Sequence, residues 1–390
     1  MSESDVFICG GGPAGLATAL AARRLGFAVT VADGQRPPID KACGEGLMPD
    51  AVTAAAQLGI TIPAEASVPF RGIRFLGRGV TASADFRTGP GLAVRRTVLH
   101  QALVDRAERE GVNLLWGTPI SSLDRIKARW IIGADGERSR VRTWSALEPP
   151  EPPSLRYGFR RHHRVKPWSD YVEVYWGRGL QIYVGPEAPD QVCVTSLASD
   201  PHVRVDNALE QFPELRERLE GSEIVSTERG AVTASRSLPS VFRNNIALVG
   251  DASGSVDAVT GAGVGLAFQQ AIALAGALAG DNLPAYQRAH RQIMRRRRIM
   301  ADLLLAVDRW PQAGDHARRA LSRAPWLFGS LLALHTGPLH ADALHTGNRD
   351  RHGADRRDSA PPLLRPSVAR KKNPIAVPIP IPNINPKTRS

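Results

Sequence analysis

The sequence predicts an α/β fold in which a parallel, nucleotide-binding sheet carries an inserted, mostly antiparallel sheet and is followed by C-terminal helices. Three observations predict it. Residues 5–33 read as a strand, a glycine turn, an Ala-rich helix and a second strand that ends on the acid Asp33. Residues 246–280 repeat that plan with a buried strand, Gly250 and Asp251, a loop holding Gly261, Gly263 and Gly265, and a helix of small residues. Between them, residues 157–196 alternate in strand fashion as YVEVYW, LQIYV and QVCVTSL.

In the first stretch each glycine has a physical role. Gly10 permits the turn out of the strand, Gly12 lets the backbone approach a pyrophosphate, and Gly15 allows close packing of helix on strand. Pro13 suits the first helical turn, and Ala14 next to it adds no bulk. The free N–H groups of that turn face two phosphates along the favourable end of the helix dipole. Asp33 follows the last glycine by eighteen residues, close to the spacing at which an acid meets a ribose hydroxyl. The stretch predicts a Rossmann-like dinucleotide site and leaves open whether the nucleotide is FAD or a nicotinamide.

Composition narrows the function classes. The chain has 390 residues, 43% hydrophobic and 23% charged, enough for one large or two ordinary domains. Cys9, Cys43 and Cys193 are its three cysteines and show no paired metal spacing, which argues for a reducing cytosol and against a disulfide framework or a metal site. No run of about eighteen uninterrupted apolar residues occurs, so a soluble, cytoplasmic protein is expected. The net charge of +12 is concentrated in the last 42 residues, where ten Lys and Arg meet three Asp and Glu. That segment lacks interleaved aromatics, which argues against nucleic-acid binding.

Along the chain, the loop after Asp33 holds Cys43, Gly44, Glu45 and Gly46; its glycines let backbone pass close to a ligand, or simply make a turn before a helix over 49–58. Short strands over 70–94 read as part of the inserted sheet, and Arg96 opens a helix running to 110, from which its side chain either reaches the pyrophosphate or is solvated. Asp135, after the strand at 130–136, is placed to cap the next helix. EPPEPP at 148–153 marks a boundary. A helix is expected over 207–219, and Arg-rich helices over 286–310 and 316–335, with the run 295–298 as a solvated face. These basic helices are also candidates for peripheral contact with a membrane surface. The expected division is a nucleotide domain over 1–60, 92–150 and 240–285, a substrate sheet over 61–91 and 151–239, C-terminal helices over 286–337, and a disordered, Pro-rich tail over 338–390. Oligomeric state is not encoded in any of these patterns.

Three separated motifs, GGGPAG at 10–15, GADGERSRVR at 133–142 and GDASG at 250–254, resemble the fingerprints of FAD-dependent monooxygenases of the para-hydroxybenzoate hydroxylase type and of the related geranylgeranyl reductases. The resemblance implies FAD, held by Gly10, Gly12, Pro13, Ala14, Gly15 and Asp33 at the ADP half and by Gly44 and Arg96 nearby. It implies that Asp135 belongs to the motif supporting FAD and a transient NAD(P)H, that Gly250 and Asp251 meet the ribityl chain, and that Gly261, Ala262, Gly263 and Val264 meet the pyrimidine edge. Gly254 stands where monooxygenases usually carry histidine, and Ala258 where they carry proline; Gly254 and the CGEG at 43–46 are similar to the reductases. The reductases' lipid-site motif YxWxFP is reduced to QIYVGP, Ala262 replaces their late glutamate, and the WxWxIP signature of flavin halogenases is absent. The first expectation is an NAD(P)H-dependent monooxygenase that hydroxylates an aromatic or lipid-like small molecule through a flavin C4a-hydroperoxide. The alternative is a reductase saturating C=C bonds of an isoprenoid or polyketide, and a third reading is a flavin-binding or membrane-surface protein without turnover. Candidates for acid–base work are Cys43, His162, His163 and Tyr183.

Overall fold

A computed structural model describes residues 4–148 and 155–337. The first strand, β1 (Ser4–Cys9), is buried at every position but Asp5, as its apolar run requires of a central parallel strand. Helix α1 (Pro13–Arg24) returns the chain to β2 (Val29–Asp33), parallel to β1. There follow β3 (Gly46–Leu47), α2 (Pro49–Gln57), β4 (Ser67–Phe70), β5 (Gly72–Gly77), β6 (Val80–Asp85) and β7 (Gly91–Val94). Next come α3 (Arg96–Arg109), β8 (Asn113–Trp116), β9 (Ala128–Gly133) and α4 (Arg140–Trp144). The middle of the chain holds β10 (Leu155–Arg164), β11 (Tyr171–Trp176), β12 (Leu180–Ala188), β13 (Gln191–Ala198), α5 (Val205–Leu209) and α6 (Pro213–Leu219). After β14 (Glu223–Ile224), β15 (Arg229–Ala234), β16 (Phe242–Arg243) and β17 (Ile246–Leu248) come four helices, α7 (Gly263–Ala279), α8 (Leu283–Arg309), α9 (Pro311–Arg323) and α10 (Pro325–Thr336).

The strands form three sheets. A six-stranded sheet runs β16-β17-β9-β1-β2-β8, parallel except at β16. Strand order reverses at β1, with β2 and β8 on one side and β9 and β17 on the other, so a crevice opens beyond its C-terminal end. The large sheet runs β14-β10-β13-β12-β11-β5-β6, with β15 also paired to β10. Strands β3, β7 and β4 form a third, small sheet.

Packing explains the arrangement. Val6, Ile8, Leu16, Leu20, Phe268 and Leu274 join β1, α1 and α7 into one core. On the large sheet, Ile182, Val184 and Val194 pack against Leu215 of α6. Leu215 is fully buried, which contributes about 1.5–3 kcal/mol relative to exposure. The sheet's other face turns Ile73, Val174 and Trp176 toward Ala301 of α8 and Phe328 and Leu332 of α10.

Four expectations need correction. The helix over 207–219 is two helices, because Pro213 lacks an N–H and begins α6 instead of continuing α5. The helix over 316–335 likewise breaks before Pro325. The strands over 70–94 belong to two sheets, since β5 and β6 extend the large sheet while β4 and β7 pair in the small one. The Arg295–Arg298 run is not wholly a solvated face: Arg297 is buried and paired with Asp50 of α2. The residues of the Pro-rich boundary at 149–153 and of the tail over 338–390 lie outside the described residues.

Candidate active site

The crevice at the end of β1 is shaped by glycine. Gly10 has φ 115°, and a Cβ there would come 2.4 Å from the Ala134 carbonyl oxygen. A Cβ at Gly15 would come 1.9 Å from the oxygen of Gly10, so Gly15 packs α1 on β1 and does not line the cavity. At Gly12 nothing lies within 4 Å of such a Cβ; this residue faces an open cavity of about 890 Å³. The N-terminus of α1, with Pro13 in its first turn, has no side-chain cap, and neither has that of α7. Both ends, Gly12 to Ala14 and Ala262 to Val264, line the same cavity, with Gly261 beside the second. Two sets of backbone donors and two positive dipole ends are thereby aimed into one space.

The acids divide between structure and cavity. Asp33 lines the cavity and accepts hydrogen bonds from Gly11 N at 2.7 Å and Gln35 N at 2.8 Å; a carboxylate with two such bonds still has lone pairs for a ligand hydroxyl. Asp135 lines the cavity too, but its oxygens accept from the Ser139 hydroxyl at 2.5 Å and from Arg140 N and Val141 N at 2.7 and 3.1 Å, which caps α4. Asp251 stands beside Gly250 and lines the cavity, with its side chain 45% exposed and Lys41 at 3.6 Å. The guanidinium of Arg96 contributes a buried Nε that has no hydrogen-bond partner among the described residues. Gly254 has φ 111°, and a Cβ would lie 2.8 Å from Arg236 O, so this turn excludes the histidine of the monooxygenase pattern.

From these polar ends the cavity continues into an apolar region. Val174, Trp176 and Tyr183 of the large sheet form one wall, and Leu304 of α8, Leu321 of α9 and Phe328 of α10 the other.

No family model matches the chain. It is 31% identical over 202 residues to the menaquinone reductase of Mycobacterium tuberculosis, covering 50% of this chain and 47% of that protein. The chain thus spans about half the length of the menaquinone reductase it matches. It is 25% identical over 318 residues to digeranylgeranylglycerophospholipid reductase 3 of Methanosphaera stadtmanae, covering 72% of this chain and 78% of the relative. It is 27% identical over 179 residues to the rifampicin monooxygenase of Streptomyces venezuelae, covering 38% of this chain and 35% of the relative. Among solved structures, a flavin-dependent brominase superposes with a TM-score of 0.75 at 17% identity, covering 86% of this chain and 94% of that one. The fold is that of flavin-dependent monooxygenases and reductases.

Within this flavoenzyme fold, the loop between β2 and β3 is locked onto the large sheet. Glu45 is 4% exposed, has φ 56°, and its carboxylate accepts from Arg96 N at 2.9 Å, from Arg160 Nη1 at 2.9 Å and from His162 Nε2 at 2.6 Å. Arg160 also donates to Asp40 at 2.8 Å. Cys43 and Gly44 of this loop line the cavity, and the Cys43 sulfur accepts from Glu45 N at 3.4 Å.

The acid–base candidates separate by position. Cys43 and Tyr183 reach the cavity. Tyr183 donates to Val259 O at 3.0 Å, and burial pushes its phenol well above the usual range, so it stays neutral. His162 and His163 alternate across β10 and neither lines the cavity. His162 turns toward Glu45, while its Nδ1 meets Ser226 Oγ at 2.8 Å. His163 turns the other way and accepts from Arg161 Nε at 3.0 Å; burial, then Arg161, lowers it to about 4. As acid–base residues of this cavity, both histidines are corrected by position. Sequence reasoning gave Glu45, Arg160 and Lys41 no role, since their partners come from distant segments. Ligand atoms of Glu45, His162 and Cys193 lie within 4.8 Å of one another, the sort of cluster that holds a metal. Arg160 already places a cation against Glu45 there, and burial raises the Cys193 thiol well above its ordinary range, which opposes a thiolate ligand.

Proposed function

We propose that the chain is an FAD-dependent oxidoreductase that saturates a carbon–carbon double bond in an apolar, lipid-like substrate. The observation that carries this reading is one continuous cavity that joins two uncapped helix N-termini to an apolar wall. The residues fit FAD: the amides of α1 would meet its pyrophosphate, Asp33 a ribose hydroxyl, and the unpartnered Arg96 Nε a phosphate oxygen. Asp251 would accept from the ribityl hydroxyls, and the α7 N-terminus would stabilise negative charge at the pyrimidine edge. When bound and reduced by NAD(P)H, FAD supplies a hydride to one carbon of the double bond.

The second carbon then needs a proton. Cys43 Sγ–H is the proposed source, because of the three thiols that line the cavity it alone is not buried, and the Glu45 clamp holds its loop in place. Tyr183 orients the site as a neutral donor to Val259 O and keeps its own proton. Val174, Trp176 and Phe328 make this part of the wall apolar, which favours a proton supplied by the protein over one from water.

Hydroxylation is the second reading, favoured by the likeness to a rifampicin monooxygenase and by the same apolar wall. One experiment tests both. The purified protein is expected to carry a yellow flavin spectrum that NADPH bleaches, and to saturate a polyprenyl substrate without oxygen. Product formed only when oxygen is present replaces the reductase reading with the hydroxylase one. A colourless protein that releases no flavin on denaturation sinks both.

A further inference from the structure

We propose that the face formed by α8, α9 and α10 docks on an anionic lipid bilayer and admits the substrate from it directly, an inference that rests on the lipid-like substrate of the proposed function. Nine large apolar side chains are exposed among the described residues, and five of them, Ile299, Leu303, Trp310, Trp326 and Leu334, lie on these three helices or at their junction. Ile299 and Leu303 are four residues apart, which puts them on one side of α8, and Trp310 follows at the end of that helix. Leu303 also lines the cavity, and so do Ala320 of α9 and Leu327 of α10. The exposed apolar face is therefore the rim of the cavity.

Charge selects the partner. Arg295, Arg296, Arg309, Arg319 and Arg323 are exposed on α8 and α9. Of the three acids on these helices, Asp308 accepts from Gln181 and Asp315 from Arg78 and Arg318, which leaves Asp302 as the one exposed acid. A second copy of this chain would bring the same arginines against each other, a repulsive contact. An anionic membrane surface instead satisfies the arginines while the two tryptophans sit at the headgroup level. None of the described helices is long and apolar enough to cross a membrane, so the face lies on the bilayer. A water-insoluble substrate would then pass from the bilayer to the cavity without crossing water.

The test is flotation of the full-length protein with vesicles of phosphatidylcholine alone, or mixed in equal parts with phosphatidylglycerol, reading protein and flavin absorbance in each fraction. Binding is expected to the mixed vesicles and to fall with added salt. Arg295→Gln/Arg296→Gln is expected to weaken it about fivefold per arginine. Trp310→Ser/Trp326→Ser, at two exposed positions, is expected to abolish most of it with flavin content unchanged. Equal binding to both vesicle types overturns the proposal. So does undiminished binding of the tryptophan variant, which would move the contact to residues 338–390 or another surface, and so does a protein that forms dimers through these tryptophans without vesicles. A flavin-bearing protein that ignores vesicles sinks the docking face alone, whereas a vesicle-binding protein without flavin sinks the proposed enzyme.

Discussion

Cys43 and Glu45 are two residues apart and belong to different parts of the problem. Cys43→Ala removes the least buried of the three thiols that line the cavity and leaves the Glu45 clamp in place, so kcat is expected to fall about 100-fold with flavin content unchanged. Unaltered steady-state kinetics would remove the thiol from the reaction. Glu45→Gln should act on stability instead, because it leaves the buried Arg160 with Asp40 as its remaining acid. A loss of about 3 kcal/mol is expected in urea unfolding. The sequence shows that 43–46 is unusual but not what Glu45 does, since Arg160 and His162 stand more than a hundred residues away. Cys43, the proposed proton donor, is legible where it lines a local turn, and its support is not, because tertiary packing supplies it.

At the scale of elements, α8 is attached to the nucleotide-binding half through Arg297 and Asp50. Their side chains are only 4% and 6% exposed, and Gln269 of α7 also donates to Asp50 at 2.8 Å. Arg297→Ala should lower stability by about 3–5 kcal/mol, as an unpaired acid remains in the interior. Adding Asp50→Ala should restore part of the loss; thermal unfolding of the two variants measures it. A run of four arginines reads as solvated because periodicity alone does not reveal which one meets an acid on another helix. Residues 207–219 show the opposite failure: Pro213 was visible, and its missing N–H outweighs the helical spacing around it. The strand, turn and helix of 4–33 are readable because apolar run, glycines and terminal acid all act within one βαβ unit.

For the whole molecule, pH stability follows from buried histidines. His163, His290 and His335 are each lowered to about 4, chiefly by burial, against 6.5 unperturbed. An unfolded chain therefore binds more protons than the folded one between those values, and stability is lost as pH falls through 6.5 toward 4. The slope is about 1.4 kcal/mol per pH unit for each histidine. A melting temperature that stays flat from pH 7 to pH 5 contradicts this, and His163→Gln should reduce the slope. The molecule-wide plan was visible because three glycine turns occur in order. The apolar far end of the cavity was not, because α8 to α10 build it from scattered leucines on helices rich in arginine.

The glycines around the cavity carry a consequence for how this protein tolerates change. At Gly10, Gly15 and Gly254 a methyl group would strike backbone oxygen, whereas at Gly12, Gly44 and Gly263 it would enter empty space. A saturation library sorted once for cellular abundance and once for retained flavin fluorescence should therefore reject substitutions at the first three in both screens. At the second three, small side chains should pass the abundance sort and fail the flavin sort. The mismatch between the two maps would outline the ligand from sequence counts alone.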